Sequence, residues 1–246
     1  MQDLYQILNN GKKKIAILID PDKVNSDEEL IELLEKINFL SPSFIFIGGS
    51  TVEAKLFQRV VKLTKNNSTI PVIIFPGAHH QISDKADGIL FLSLISGRNP
   101  DFLIGHQIES AHQLKKMNVQ TIPTGYILID GGKTTTVSYV SQTTPIPADQ
   151  QGIAIKTAIA GETLGLKCIF MDAGSGAKNS VTSEMIKAVK QNIDIPLIIG
   201  GGIRSKEQIK AAFQGGADLV VIGNRIEEDT DFLLDINEAM LNYVNE

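Results

Sequence analysis

The sequence predicts an α/β fold, a (β/α)8 TIM barrel in which the third helix is missing or replaced by a loop. Three observations predict it: eight short apolar runs, helical patterns between most of them, and glycine turns after the last two runs. Apolar runs that alternate with helices are typical of parallel strands buried on both faces. A doubly wound open sheet is the alternative. The 246 residues suit a single barrel domain over 1–246, because such barrels have about 250 residues.

Composition narrows the class of protein. Apolar residues make up 43% of the chain, and the net charge of −5 argues against general affinity for nucleic acid. The single cysteine, Cys168, excludes an internal disulfide and lies in an apolar run, so we expect a buried thiol in a reducing cytoplasm. No apolar run approaches the roughly 20 residues of a membrane span, and the N-terminus has no signal-peptide pattern. We therefore expect a cytoplasmic protein without a transmembrane segment.

The first three predicted strands are evenly spaced along the chain. They are Ile15–Ile19, Phe44–Ile47 and Val72–Phe75, and their ends are 28 residues apart in both cases (47 − 19 and 75 − 47). The first interval contains a helical pattern that Ser26 or Asp27 can cap, and the second contains one over Thr51–Lys65. These intervals predict two complete strand-helix units.

The third interval is too short for such a unit. From Phe75 to Leu92, the end of the next apolar run, there are only 17 residues (92 − 75). A turn, a packed helix and a strand do not fit in that length. We expect the third helix to be missing or reduced to a turn around Ser83–Asp87.

The alternation resumes in the second half of the chain. The predicted strands are Gly88–Leu92, Ile122–Ile129, Cys168–Met171, Leu197–Ile199 and Leu219–Ile222. The predicted helices are Phe102–Lys116, Ala148–Leu164, Thr182–Lys190, one opened by Ser205, and one over about Asp229–Tyr243. Between them, Gly131–Pro147 is long, polar and rich in threonine. A connector of this length is unusual in a compact domain and indicates a functional loop.

Two glycine turns follow the last two predicted strands. The first is Gly200-Gly201-Gly202, and the second is Gly223-Asn224. Backbone without side chains, next to a helix N-terminus, brings several N–H groups onto one anion. Two such turns in tandem predict the phosphate site that (β/α)8 barrels form after strands 7 and 8. The alternative is that both are only tight turns.

A third turn of this kind stands beside a carboxylate. Asp172 precedes Gly174-Ser175-Gly176 at the end of the sixth predicted strand. A carboxylate there can accept a proton from a hydroxyl of a phosphate-bearing molecule, which is the position of a general base. The alternative is that Asp172 caps the following helix or bonds its own turn.

Oxygen ligands follow the first two predicted strands. Asp20 and Ser50 end neighbouring strands, and Mg²⁺ often takes only one or two protein oxygens, with phosphates and water completing its shell. A Mg²⁺ site at these residues would imply a diphosphate substrate. The alternative for Asp20 is a turn with Pro21 and Asp22. His79 and His80 lack a zinc-binding pattern and are expected to be exposed loop residues.

At these residues the chain resembles the geranylgeranylglyceryl phosphate synthase family, prenyltransferases that include bacterial heptaprenylglyceryl phosphate synthases. The matching segments are LIDPDK (18–23), FIGGS (46–50), SLISGRNP (93–100), GGKTTTVSYVS (131–141), MDAGSGA (171–177), GGGIRS (200–205) and IGN (222–224). They span nearly the whole chain in the expected order. SGRNP and GGKTTTVSYVS are similar to the second group of that family.

The resemblance implies a reaction and a set of site residues. The expected reaction is ether formation between sn-glycerol 1-phosphate and geranylgeranyl diphosphate or a similar polyprenyl diphosphate, with release of diphosphate. Asp20 and Ser50 would hold Mg²⁺, and Asp172 would accept the proton. Arg98 and Lys133 follow the fourth and fifth predicted strands, so by position either could neutralise the diphosphate. The implied glycerol-phosphate site is Phe170, Met171, Asp172, Ala173, Gly174, Ser175, Gly176, Gly201, Gly202, Gly223 and Asn224. A homo-oligomer, dimer or hexamer, is also implied.

The chain departs from the family pattern at two places. Phe170-Met171-Asp172 stands where the family commonly has Tyr-Leu-Glu, and Leu18 stands where the first group has a lysine. We expect the prenyl tail to lie in the gap left by the missing helix, bordered by Phe75, Phe91, Leu92 and Leu94. Two other functions remain open: another phosphate-binding barrel enzyme of the sugar-phosphate isomerase type, and a non-catalytic barrel that binds glycerol phosphate.

Overall fold

The computed structural model describes residues 3–223, 226 and 232–240, which form a closed parallel barrel of the TIM type. Each strand pairs with the next, and the last pairs with the first. The strands are β1 (Lys14–Ile19), β2 (Phe44–Ile47), β3 (Val72–Ile74), β4 (Gly88–Leu94), β5 (Gln120–Leu128), β6 (Cys168–Asp172), β7 (Leu197–Gly200) and β8 (Leu219–Ile222). The predicted barrel is confirmed, and the open sheet is wrong.

Helices surround the strands. They are α1 (Leu4–Leu8), α2 (Asp27–Leu40), α3 (Ala54–Asn67), α4 (His106–Lys116), α5 (Thr136–Val140), α6 (Gln151–Thr163), α7 (Ser183–Lys190), α8 (Lys206–Gln214) and α9 (Phe232–Met240). The predicted ends of the last helix, Asp229 and Tyr243, lie outside the described residues. No helix in the described part of the chain is long and apolar enough to cross a membrane.

Strand periodicity divides the core into two layers. In β2, Phe44 and Phe46 pack in the barrel interior, whereas Ile45 and Ile47 pack against the surrounding helices. Successive side chains of a strand point to opposite faces, so both faces of β2 must be apolar when both are buried. All four residues of this strand are buried, which explains its continuous apolar run.

The outer helices bury one apolar stripe each. Ser26 caps α2 by accepting a hydrogen bond from the backbone N–H of Glu29 at 3.1 Å. Of the two residues predicted as possible caps, Ser26 is therefore the N-cap. The second helix, α3, begins at Ala54, three residues later than predicted (54 − 51). Val52 is buried in the outer core layer, and the chain turns there before the helix begins.

The third barrel helix is absent, as predicted. Residues 75–87 form turns and extended loop between β3 and β4. The fully buried side chain of Gln81 fastens this loop, because its oxygen accepts a hydrogen bond from the N–H of Gly77 and its amide donates to the carbonyl of Gly49. The loop therefore packs against the end of β2 without a helix.

The N-terminal helix α1 was not predicted from the sequence. Leu4 and Leu8 are buried and belong to the interior core layer, and the Leu4 N–H donates to the side chain of Gln120 at the start of β5. The helix therefore closes the end of the barrel at which the strands begin. Five residues are too few for a helical period to be recognised in the sequence.

The threonine-rich loop is more ordered than its sequence suggests. It contains the short helix α5, and Ile146 forms a β-bridge with Ile129. The N–H of Asp130 also donates to the carbonyl of Ile146. The segment predicted to be a functional loop is thus tied to the carboxyl end of β5, on the side of the barrel where its strands end.

Candidate active site

A cavity of ≈ 230 Å³ lies at the carboxyl ends of the strands. In parallel barrels this end carries the active site. One part of its lining consists of the loops that follow β1, β2, β6, β7 and β8. The other part is apolar and lies beside the missing helix. The described lining therefore joins a polar half to an apolar half.

Asp20 and the turn after β2 are in direct contact. A Cβ atom on Gly49 would lie 2.5 Å from Oδ1 of Asp20, so only glycine lets the backbone approach the carboxylate this closely. Asp20 and Ser50 both line the cavity, as predicted. Oδ1 of Asp20 also accepts a hydrogen bond from the N–H of Asp22 at 3.1 Å, so the alternative turn is present as well. Burial raises the pKa of the Asp20 carboxyl above its ordinary value, against the opposing hydrogen bond from Asp22.

The oxygen atoms at this position fit the chemistry of a hard cation. Asp20 carries a carboxylate and Ser50 a hydroxyl, and both residues line the same cavity. Among the described residues there is no cluster of three His, Cys, Asp or Glu side chains that could enclose a metal by themselves. A Mg²⁺ ion there would need further oxygens from substrate and water, which is its usual mode of binding.

The Asp172 side chain is held at both oxygens. Oδ1 accepts a hydrogen bond from the N–H of Gly174 at 2.7 Å, so the alternative in which Asp172 bonds its own turn is correct. Oδ2 accepts a hydrogen bond from the hydroxyl of Tyr126 on the neighbouring strand. The side chain also lines the cavity, although the residue is only 6% exposed. Bonding its own turn therefore does not remove Asp172 from the site.

Burial raises the pKa of the Asp172 carboxyl above its ordinary value, and the hydrogen bonds from Tyr126 and Gly174 offset only part of this rise. For Tyr126, burial and the neighbouring Asp172 charge raise the pKa of the phenol well above its ordinary value. Tyr126 therefore remains a protonated donor at neutral pH. No sequence motif marks Tyr126 as a site residue, because it lies within a predicted strand and not after its end.

The glycine turns after β6 and β7 meet at Asp172. A Cβ atom on Gly201 would lie 2.4 Å from Oδ1 of Asp172 and 2.6 Å from the backbone nitrogen of Gly174. Gly201 also has a φ of +76°, in the left-handed region. Both observations require glycine at this position. The two turns and the carboxylate thus form one closely packed unit.

The predicted glycerol-phosphate residues divide into three groups. Those that line the cavity are Phe170, Asp172, Ser175, Gly176, Gly201, Gly202 and Gly223. Met171 and Ala173 are buried, and Gly174 is buried in contact with the side chain of Thr135. Asn224 lies outside the described residues. The structure thus brings the described parts of the three glycine turns to one cavity.

The two predicted diphosphate ligands are not among the described lining residues. Arg98 is exposed and donates from Nη1 to the carbonyl of Gly97, and Lys133 is exposed in the threonine-rich loop. Among the lining residues that the structure describes, Arg204 is the only lysine or arginine. It belongs to the GGGIRS segment, and its position after the glycine turn is the signal that could have identified it.

The apolar half of the cavity is built from the predicted groove residues. Phe75, Phe91, Leu92 and Leu94 all line it. The ring of Phe75 stacks on that of Phe170 with centroids 5.0 Å apart, so this wall continues to the Asp172 turn. His79 is exposed, as expected, but it also lines the cavity.

Cys168 is a core residue, as predicted. It is fully buried, and its sulfur lies 3.2 Å from the hydroxyl of Thr124. Burial raises the pKa of the thiol to about 12, so it is not ionised near neutral pH. The thiol does not provide a nucleophile for the site.

Comparison with known proteins identifies the family. Residues 8–241 match the PcrB family, which is most of the chain. The chain belongs to the PcrB family. It is 50% identical over 231 residues to the geranylgeranylglyceryl phosphate synthase of Flavobacterium johnsoniae, an alignment that covers 94% of this chain and 95% of that protein. It is 43% identical over 215 residues to the protein of the same name from Thermococcus kodakarensis, covering 86% of this chain and 83% of the relative.

Solved structures agree with the family. The (S)-3-O-geranylgeranylglyceryl phosphate synthase of Thermoplasma acidophilum, solved with its substrate sn-glycerol-1-phosphate, superposes with a TM-score of 0.92 at 32% identity and full coverage of both chains. A thiamine phosphate pyrophosphorylase from Pyrococcus furiosus superposes with a TM-score of 0.58 at 12% identity, over 99% of this chain and 98% of that one. The second likeness shows the fold alone.

Proposed function

We propose that this protein is a prenyltransferase that joins sn-glycerol 1-phosphate to geranylgeranyl diphosphate, or a similar polyprenyl diphosphate, through an ether bond. The observation that carries the proposal is the position of the Asp172 carboxylate, in one cavity between glycine turns and an apolar wall. The names of the relatives and the glycerol phosphate in a structural neighbour support it. Neither a soluble isomerase nor a non-catalytic binder of glycerol phosphate would need the apolar wall.

In the proposed reaction one bond forms, one bond breaks and one proton is transferred. A hydroxyl oxygen of glycerol phosphate forms a bond to C1 of the prenyl diphosphate, and the bond from C1 to the diphosphate oxygen breaks with its electron pair on the leaving group. The hydroxyl proton passes to Asp172, whose carboxylate lines the cavity. The turns that contain Ser175, Gly176, Gly201 and Gly202 would hold the phosphate by their backbone N–H groups.

The leaving diphosphate requires neutralisation. Asp20 and Ser50 would hold Mg²⁺, whose chemistry is to stabilise negative charge on diphosphate oxygens. Arg204 lines the cavity and would add a second positive charge, and its planar guanidinium can donate two hydrogen bonds to one phosphate. Arg98 and Lys133 remain proposed contacts that would have to move toward the substrate.

Two wider properties belong to the same proposal. The large apolar side chains of Ile104, Ile108 and Ile153 are exposed around α4 and α6. Contact with a second copy of the chain would cover such a surface, which supports a homo-oligomer. A cytoplasmic location suits the single unpaired thiol. Lipid biosynthesis would be the consequence of the proposed product.

The deciding experiment measures ether formation. The protein is incubated with radiolabelled sn-glycerol 1-phosphate, Mg²⁺ and a series of prenyl diphosphates, and organic-soluble product is counted. Product should form with the parent and with Asp84→Asn, an exposed loop carboxylate, and should be reduced at least about 100-fold in Asp172→Asn, which removes the base. EDTA should abolish it. An absence of product with every chain length would refute the proposed function.

A further inference from the structure

Tyr126 and Asp172 lie on neighbouring strands and face the same side of the sheet. In the parallel register of β5 and β6, Tyr126 pairs with Phe170 and Leu128 pairs with Asp172. Residues two apart on a strand share a face, so Tyr126 is directed into the barrel interior with Phe170 and Asp172. Its hydroxyl reaches across to Oδ2 of Asp172. The contact therefore follows from strand register and does not depend on a loop.

The phenol ring is itself held in place. Tyr126 is 5% exposed, and its ring makes edge contacts with the rings of Phe75 and Phe170 at centroid distances of 5.9 and 5.6 Å. Phe75 and Phe170 also stack on each other with centroids 5.0 Å apart, so they form one aromatic cluster with Tyr126 that restricts the movement of its ring and hydroxyl. A hydroxyl held in this way can set the orientation of the group that it contacts.

The carboxylate of Asp172 receives one fixed donor on each oxygen. The N–H of Gly174 donates to Oδ1, and the hydroxyl of Tyr126 donates to Oδ2. A carboxylate has about four lone-pair positions, so about two remain for a further donor. Because Asp172 also lines the cavity, these positions are available to a hydroxyl of a bound substrate.

We propose that Tyr126 is a positioning residue for the reaction, which orients the Asp172 carboxylate toward the substrate hydroxyl. This inference rests on the proposed function and names a residue that the sequence motifs of the site do not contain. Tyr126 remains the donor throughout, and the proton from the substrate goes to Asp172. The phenol acts through the carboxylate and does not exchange its own proton with the substrate.

The inference predicts a specific change in Tyr126→Phe. The ring and its contacts with Phe75 and Phe170 remain, so the protein should fold. The carboxylate loses one donor that lowers its pKa, so the pKa should rise and the loss of activity on acidification should begin at higher pH. Turnover should fall about 10- to 100-fold, the range that corresponds to one hydrogen bond to a charged group. The KM for glycerol phosphate should change less than about threefold, because the glycine turns are intact.

The test compares the parent, Tyr126→Phe and Tyr5→Phe by kcat and KM from about pH 5 to 9. Tyr5 lies in α1 at the opposite end of the barrel, and its substitution controls for loss of a phenol. Thermal unfolding of each variant measures stability, and calorimetry with sn-glycerol 1-phosphate measures binding without turnover. A carboxyl NMR titration of Asp172 measures its pKa independently of catalysis.

A lower kcat with an acid limb shifted to higher pH, and with glycerol-phosphate binding retained, supports the inference. An active parent with an equally active Tyr126→Phe overturns it and leaves the proposed function intact. A lower kcat without a shift in either the acid limb or the NMR titration also overturns it, since loss of stability alone would have that effect. Absence of ether product in the parent refutes the proposed function instead.

Discussion

Substitution of Gly201 by alanine should impair the active site and leave the fold intact. The new Cβ atom would lie 2.4 Å from Oδ1 of Asp172 and 2.6 Å from the nitrogen of Gly174. Ordinary van der Waals contact begins at 3.4 Å, so the β7 turn, the carboxylate or both must move by about 1 Å. A displacement of about 1 Å at a catalytic group can cost about 100-fold in rate, or about 2.7 kcal/mol of barrier. We expect ether formation to fall by that factor and glycerol-phosphate binding to weaken.

Substitution of Gly11 by alanine is a matched control for the cost of placing alanine in left-handed backbone. Gly11 has a φ of +78°, against +76° for Gly201, but has no atom within 4 Å of its Cβ position. Each alanine should lose roughly 1–2 kcal/mol of stability for the left-handed conformation, measured by urea unfolding, but only Gly201→Ala should lose activity. Equal activity of the two variants, measured by ether formation at saturating substrates, would refute the packing of Gly201 against Asp172 as the reason for glycine.

Three further predictions concern the metal, the groove and the thiol. Asp20→Asn should raise the Mg²⁺ concentration for half-maximal activity at least about tenfold, whereas Asp84→Asn should not; the same Mg²⁺ curve for Asp20→Asn and the parent would exclude Asp20 as a ligand. Ala78 lines the cavity from the loop that replaces the third helix, so Ala78→Trp should shorten the longest prenyl chain accepted, as measured by product chromatography; an unchanged chain-length profile would place the groove elsewhere. Cys168 should resist iodoacetamide at pH 8 until urea unfolds the protein, because burial raises its pKa to about 12; rapid labelling of the folded protein would contradict that burial.

The barrel was predictable because strand burial leaves a pattern in the sequence. The continuous apolar run of β2 and the matching 28-residue intervals predicted complete strand-helix units, and the 17-residue interval predicted the missing helix. The helix α1 was not predicted. Its stability comes from Leu4 and Leu8 packing against the barrel interior, a contact that no local pattern encodes.

Parts of the site were also predictable. The rule that residues after parallel strands face the active-site end predicts Asp20, Ser50 and Asp172, and all three line the cavity. The same rule predicts Arg98 and Lys133, but they are not among the described lining residues, because the direction of a long side chain depends on its neighbours. Arg204 follows the glycine turn after β7, so the same rule, applied to that loop, would have predicted it.

The order of strands and helices, the missing third helix and the glycine turns can be predicted from the sequence, because each depends on residues close together in the chain. Which groups meet in the site depends on the tertiary structure. Tyr126 and Asp172 are 46 residues apart, and the parallel register of β5 and β6 brings the phenol to the carboxylate. Gly201 lies further along the chain, and its missing side chain leaves room for that carboxylate. Strand periodicity predicts which face a residue is on, but only the closed barrel determines which residues of neighbouring strands share that face.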